Sequence, residues 1–104
     1  MVNPLAGEVG VTLDGQPFVA RLTLGALAEL EHDLGAGSML DLAERFEAGR
    51  FSSRDVLAVL VAGLRGGGWR GRADDLLSVA IGGGATGAAR AAAELLVRAF
   101  RGPE

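Results

Sequence analysis

The chain has 104 residues, of which 49% are hydrophobic, and this predicts a single domain over residues 1–104. It has no cysteine, which excludes disulfides and thiolate chemistry, and its formal net charge of −3 argues against a general nucleic-acid binder. No apolar run approaches the ~18 residues that a membrane span needs. The first ten residues lack the pattern of a signal peptide, so we expect a cytoplasmic protein without membrane contact.

Residues 8–22 are predicted to form a β-hairpin. Val9, Val11 and Leu13 alternate with polar residues and glycine, and the Asp-Gly dipeptide at 14–15 that follows them is a strong two-residue turn signal. The turn sets the register and places Pro17 opposite Thr12, in a pair that exchanges no hydrogen bonds. Because Pro17 lacks an N–H group, its strand is expected at an edge. Pro17 and Phe18 are therefore candidate partner contacts.

Three amphipathic helices are predicted to follow the hairpin. The first is capped by Thr23 and ends at Gly35. The second covers residues 38–49, with Ser38 as its start signal. The third begins with a capping box of Ser52 and Asp55, and it is expected to be the most buried helix. Its apolar stripe consists of Val56, Leu57, Leu60, Val61 and Leu64.

The remaining residues predict one or two further helices. A glycine-rich loop at 66–71 ends the third helix, and residues 74–81 fit either a short helix or a strand. The last helix opens at Thr86 or Gly87. Its stripe consists of Ala92, Leu95, Leu96, Ala99 and Phe100. The expected fold is α+β, mainly α, with an N-terminal β-hairpin and a bundle of four to five short helices over residues 23–101.

Gly82, Gly84 and Gly87 match the G-x-G-x-x-G pattern of a dinucleotide-binding turn. That function also needs a strand on each side and an acidic residue ~20 positions further on. The sequence offers neither after Gly87, and the same pattern recurs at 66–71 without a preceding strand. We interpret these glycines as helix stops and hinges, and we expect no cofactor.

No catalytic or metal-binding set is predicted. His32 is the only histidine, and the carboxylates at Glu29, Glu31 and Asp33 point in different directions on a helix. No serine lies in a nucleophile-elbow context. The acidic pair at 74–75 suits the first turn of a helix. We therefore expect a protein that is not an enzyme.

The stretch 65–72 is the most unusual in the chain, because three arginines surround Trp69. These arginines are Arg65, Arg70 and Arg72. Tryptophan and arginine are enriched at protein-binding hot spots, and arginine beside an aromatic ring also suits stacking on bases and phosphate binding. A third interpretation is structural, with Trp69 folded over the core and the arginines in water. The sequence leaves all three open, although the acidic net charge weighs against nucleic acid.

Three stretches together resemble one protein family. They are GEVGVTLDGQPFVARLTLGALAELEHDLG, SMLDLAERFEAGRFSSRDVLAVLVAGLRGGG and AARAAAELLVRAF. The chain resembles the small gene-transfer-agent tail protein family, which is grouped with phage tail assembly chaperones and is also labelled phage tail tube protein. The resemblance covers nearly the whole chain. Its most specific parts are the hairpin leading into LTLGALAELE and the GLRGGG that ends the third helix, and neither is a catalytic signature.

The resemblance implies a role in building a phage-like tail. Gene transfer agents are domesticated phage particles that package host DNA, typically in alphaproteobacteria. An assembly chaperone would bind the tape-measure or tube protein in the cytoplasm of the producing bacterium and keep its apolar surfaces from aggregating. The resemblance carries over no catalytic, cofactor or metal residue.

Two alternatives stay open beside the chaperone. The first is a structural tube or adaptor component of the particle, with possible self-association. Tube subunits as a class usually have a β-sandwich that closes into rings, so the helical pattern favours the chaperone. The second is a small nucleic-acid-binding regulator that uses the loop around Trp69.

Overall fold

A computed structural model of the chain describes residues 2–3, 6–35 and 39–101, and the side chains of all of these except 39, 100 and 101. In this part of the chain an antiparallel hairpin precedes five helices. The strands are β1 (Val9–Leu13) and β2 (Gln16–Ala20). The helices are α1 (Leu24–Leu34), α2 (Met39–Glu47), α3 (Ser53–Gly66), α4 (Ala73–Leu76) and α5 (Gly84–Arg101). The predicted α+β, mainly α, fold is confirmed.

The hairpin has the predicted register. Val11 lies opposite Phe18, and Thr12 lies opposite Pro17. The turn residues at 14–15 have φ angles of 50° and 80°, the left-handed region that Asp-Gly adopts readily. The inward side chains of β1 are buried and those between them are exposed. One face of the hairpin therefore belongs to the core.

The capping residues predicted from the sequence mark the observed boundaries of α1 and the start of α3. The Thr23 side chain caps α1, and Gly35 ends it with a φ angle of 60°. Ser52 and Asp55 form the predicted capping box at the start of α3. The predicted start of α2 at Ser38 lies outside the described residues.

The segment between α3 and α5 differs from the prediction. Residues 74–81 form neither a continuous helix nor a strand. One helical turn, α4, is followed by bends, and Ile81 then pairs with Leu13 in an isolated β-bridge. α5 starts earlier than predicted, because Gly83 and Gly84 turn the chain into the helix with φ angles of 83° and 63°.

One apolar core joins the hairpin to the helices, and α3 packs against α1, α4, α5 and β2. The predicted stripe of α3 is only partly right. Leu60 and Leu64 are buried, and so are Val59 and Gly63, which lay outside the stripe. The half-buried members of the stripe are Val56, Leu57 and Val61. None of the described helices has the length and apolar character needed to cross a membrane.

Candidate functional site

The C-terminal end of α3 covers the outer edge of β2. The Arg21 N–H donates to the Gly63 carbonyl oxygen over 2.8 Å. A Cβ atom on Gly66 would lie 2.0 Å from the Arg21 carbonyl oxygen, and one on Gly67 would lie 1.9 Å from the Val19 carbonyl oxygen. Only glycine permits so close an approach of backbone to backbone. β2 is an edge strand of the two-stranded sheet, as expected, and the GLRGGG stretch packs against this edge at residues 19–21.

The outer edge of β1 is covered near the turn by residues 80–82. The Gly82 N–H donates to the Thr12 carbonyl oxygen over 2.9 Å, and the Asp14 N–H donates to the Ala80 carbonyl oxygen over 2.8 Å. The Asp14 carboxylate accepts the Ala80 N–H over 2.9 Å. A Cβ atom on Gly82 would lie 3.0 Å from the Thr12 Cβ atom. A Cβ atom on Gly87 would lie 2.3 Å from the Gly82 carbonyl oxygen, and Gly84 has a φ angle of 63°, so each glycine of the G-x-G-x-x-G pattern has a structural explanation.

Trp69 is half-buried and packs against the core. Its backbone N–H donates to the Leu64 carbonyl oxygen over 2.9 Å, which ties the loop to the end of α3. With Phe18 and Leu76 it lines a cleft of about 340 Å³ at the tip of the hairpin. A Cβ atom on Gly71 would lie 2.0 Å from the indole ring. These contacts favour the structural interpretation of Trp69.

The predicted contact residues lie on more than one surface. The exposed ones are Arg65, Arg70, Arg72 and Pro17. Arg65 lines a groove between α1 and α3 together with Glu29 and Asp33. Phe18 lies beside Trp69 in the cleft at the hairpin tip. The structure thus brings two of the six predicted residues, Phe18 and Trp69, into one cleft, and it lines a different groove with Arg65.

A larger apolar groove, the α3–α5 groove, lies between the first half of α3 and the start of α5. Its volume is about 710 Å³, twice that of the cleft at Trp69. Its floor is formed by Leu60, Leu76 and Ala88, which are buried. Leu57 and Leu77 line its sides, and Leu77 is 70% exposed. Such a surface suits the binding of an apolar segment.

The wall at the start of α3 is fixed by aromatic and polar contacts. Phe51 lines the groove and stacks on Phe46, with ring centroids 4.7 Å apart. Asp55 is buried, and its carboxylate accepts from the Arg45 guanidinium over 2.8 Å and from the Ser52 N–H over 3.0 Å. These bonds join α2 to the first turn of α3. They hold the groove wall in place without contributing a charge to it.

Arg54 is the charged residue among those that line the α3–α5 groove, and it is exposed at the rim. The polar residues beside it are Ser52 and Ser53. The Ser52 hydroxyl already accepts the Asp55 N–H over 3.2 Å. The groove therefore offers apolar side chains with one positive charge at its edge.

Sequence reasoning missed this groove because it assigned the whole α3 stripe to the core. Two signals indicate it. Val56, Leu57 and Val61 make the stripe wider than one neighbouring helix covers. Adjacent leucines at 76–77 also cannot both face inward from a single helical turn.

Metal ligands do not cluster in the described ranges, where no group of three or more histidine, cysteine or acidic side chains could hold an ion. His32 is exposed on α1. The α3–α5 groove is lined mainly by apolar side chains.

Comparison with known families gives a match over most of the chain. A family model described as "Phage tail tube protein, GTA-gp10" matches residues 6–102. The match includes the hairpin and the helices from α1 to α5. No curated protein and no solved structure matches the chain. The resemblance seen in the sequence is confirmed, and the chain belongs to this family of gene transfer agent and phage tail proteins.

Proposed function

We propose that the chain is a tail assembly chaperone, which binds another protein of a phage-like tail and is left out of the finished particle. Family membership makes it a component of the tail system. The choice of chaperone depends mainly on one observation, the partial covering of both hairpin edges by other parts of the chain. The proposed partner is the tape-measure or tube protein, and the proposed place of action is the cytoplasm of the producing bacterium.

A tube ring built from β-sheets needs strand edges that pair between subunits. The described residues contain one two-stranded sheet. The end of α3 covers β2 at residues 19–21, and residues 80–82 cover β1 at the turn. These contacts occupy the β2 edge at residues 19–21 and the β1 edge at residues 12–14, so less of the hairpin edge is left for pairing with a second subunit. This supports a binding protein over a ring-forming one.

The α3–α5 groove supports the same choice. Its apolar floor and the exposed Leu77 offer a surface on which an apolar segment of a partner can be shielded from water. Binding of this kind needs no reactive group and no cofactor. We therefore propose a non-enzymatic role.

A structural tube or adaptor component is the second candidate, and the family description itself favours it. The nucleic-acid alternative is weaker. The charged residues that line the cleft at Trp69 are Asp14 and Asp75, both acidic. A cleft of this charge disfavours the phosphate backbone.

Quantitative mass spectrometry of purified particles and of the lysate of the producing cell tests the proposal. A chaperone is expected in the lysate and nearly absent from the particles. Many copies per particle would contradict the chaperone and support the structural component. The major tube protein of the same particles is the internal standard for copies per tail.

A further inference from the structure

We propose that the cleft at Trp69 binds an arginine side chain of another tail protein. The inference rests on the proposed function for the class of partner, whereas the choice of arginine follows from the residues that line the cleft. It gives the chain a charge-selective contact in addition to the apolar contact proposed for the α3–α5 groove.

The cleft combines an apolar lining with two aromatic side chains. Leu13 and Leu76 line it and are buried, and Phe18 and Trp69 are half-buried. Gly71 packs directly against the six-membered ring of the indole. A volume of about 340 Å³ is small for a ligand site and suits a single long side chain. Aromatic rings attract cations, and tryptophan does so most strongly.

Two carboxylates give the cleft its charge. Asp14 and Asp75 are exposed, and none of the described residues that line the cleft with them is cationic. The Asp14 carboxylate accepts the Ala80 N–H over 2.9 Å, and the Asp75 carboxylate accepts the Arg72 N–H over 2.7 Å. These bonds hold both carboxylates in position and leave each of them further acceptor sites.

Neither carboxylate is neutralised by an arginine of the chain. Arg70 and Arg72 flank Gly71 in the sequence and are exposed. Within the described ranges, however, neither of them forms an ion pair with Asp14 or Asp75. Both negative charges therefore remain for a ligand, and a cation complements them.

A guanidinium group matches both kinds of surface in the cleft. It is planar and stacks on aromatic rings, and it donates several hydrogen bonds to carboxylates. The aliphatic stem of arginine packs on apolar side chains. An apolar side chain would instead remove water from Asp14 and Asp75 without replacing its hydrogen bonds, which is costly. A lysine ammonium bonds to carboxylates but does not stack, so we expect it to bind more weakly.

The first test uses Trp69 itself as the reporter, because it is the only tryptophan of the chain. The full chain is titrated with the blocked tripeptide acetyl-Gly-Arg-Gly-amide, and tryptophan fluorescence and the NMR signal of the indole N–H are followed. We expect a Kd of about 1 mM. The same peptide with citrulline, a neutral isostere of arginine, should bind at least about ten-fold more weakly. Equal binding of the two peptides would overturn the choice of a cation.

Matched variants of the chain locate the site. Asp14→Asn and Asp75→Asn each remove one charge and keep an oxygen that can accept the existing N–H bond. Each should weaken binding of the arginine peptide about three-fold, and the double variant about ten-fold. Asp74→Asn, at an exposed acid of α4 that does not line the cleft, should leave it unchanged. Equal effects of Asp74→Asn and Asp75→Asn would overturn the site.

A further variant applies if circular dichroism shows that either asparagine substitution alters the fold. Gln16 lines the cleft and is exposed, so Gln16→Arg places a cation of the chain itself at the carboxylates. This variant should weaken binding of the arginine peptide about ten-fold. Unchanged binding by Gln16→Arg would contradict the site.

The occupant is tested with purified tape-measure and tube proteins. One of them should bind the wild-type chain and Asp74→Asn equally, and the double asparagine variant more weakly. No such difference for either protein would overturn a tail protein as the occupant. If the wild-type chain instead sediments as a dimer that the double variant dissociates, a second copy occupies the cleft and the inference is overturned.

Two results separate this inference from the proposed function. If the chain is abundant in particles but binds the arginine peptide and a tail protein as described, the chaperone role fails and the arginine cleft stands. If the chain is absent from particles and does not distinguish the arginine peptide from the citrulline peptide, only the assignment of the cleft fails.

Discussion

The two ends of α3 have similar apolar sequences and different surroundings. At the C-terminal end, Leu64 is 0% exposed, and Gly63 and Gly66 bring the helix against β2. At the N-terminal end, Val56 and Leu57 are half-buried and face the α3–α5 groove. We call these the closed end and the open end. The difference shows that an apolar stripe predicts a covered face but does not say whether the chain itself or a partner covers it.

The largest expected difference comes from leucine truncation at the two ends. Leu64→Ala should lower the free energy of unfolding by about 2–5 kcal/mol, because it leaves a cavity in a fully buried site. Leu57→Ala should cost about 1 kcal/mol or less, since its side chain is already half in water. Urea unfolding followed by circular dichroism measures both. Equal losses would remove the distinction between the ends.

Glycine substitutions test the closed end alone. Gly66→Ala should cost about 1–3 kcal/mol, because its Cβ atom would lie 2.0 Å from the Arg21 carbonyl oxygen. Gly25→Ala is the matched control in α1, where the nearest atom lies 3.9 Å away, and it should stabilise by about 0.5–1 kcal/mol. Thermal melts of both variants measure the contrast. A Gly66→Ala variant as stable as wild type would show that the approach to β2 is looser than described.

The buried carboxylate at the open end gives an effect of similar or smaller size. Asp55→Ala should cost about 1–3 kcal/mol, since it removes the partner of both Arg45 and the Ser52 N–H. Asp74→Ala, at an exposed residue of α4, should change stability by about 0.5 kcal/mol or less. Chemical denaturation of the two variants is the measurement. If Asp55→Ala were also neutral, the anchoring of α3 to α2 would not depend on this pair.

The smallest expected change is at the groove surface. Leu77→Glu should alter the free energy of unfolding by about 0.5 kcal/mol or less, because the side chain is 70% exposed. Leu24→Glu, at a leucine that is 83% exposed, should behave alike. Calorimetric melting temperatures compare them. A large loss of stability for Leu77→Glu alone would show that Leu77 belongs to the core. The face that we call the open end would then be covered by the chain itself.

Most of the fold could be predicted from local signals in the sequence. The Asp-Gly turn at 14–15 sets the hairpin register because its backbone conformation allows few alternatives. The caps at Thr23 and at Ser52 set helix starts because they bond to the next turn of the same chain. Each of these signals depends on neighbours within a few residues. They can therefore be recognised in a single sequence.

The packing around the closed end and the open end depends on residues that are distant in the sequence. It therefore could not be predicted from local patterns. Gly25 and Gly66 look alike in the sequence, but only Gly66 has a backbone carbonyl against it. The bridge between Ile81 and Leu13 joins residues far apart in the chain, so no local periodicity of apolar residues predicts it. The α3–α5 groove is likewise formed jointly by residues in and around three elements, α3, α4 and α5. Apolar periodicity alone cannot separate a core face from a binding face.

In-cell photo-crosslinking tests the central claim most directly. A photo-crosslinking amino acid replaces Leu77 in the open end, with the same replacement of Leu24 as control, in cells that produce the particle. We expect crosslinks from position 77 to another tail protein in the lysate, few from position 24, and neither product in finished particles. Crosslinks from position 77 to further copies of this chain within finished particles would contradict it.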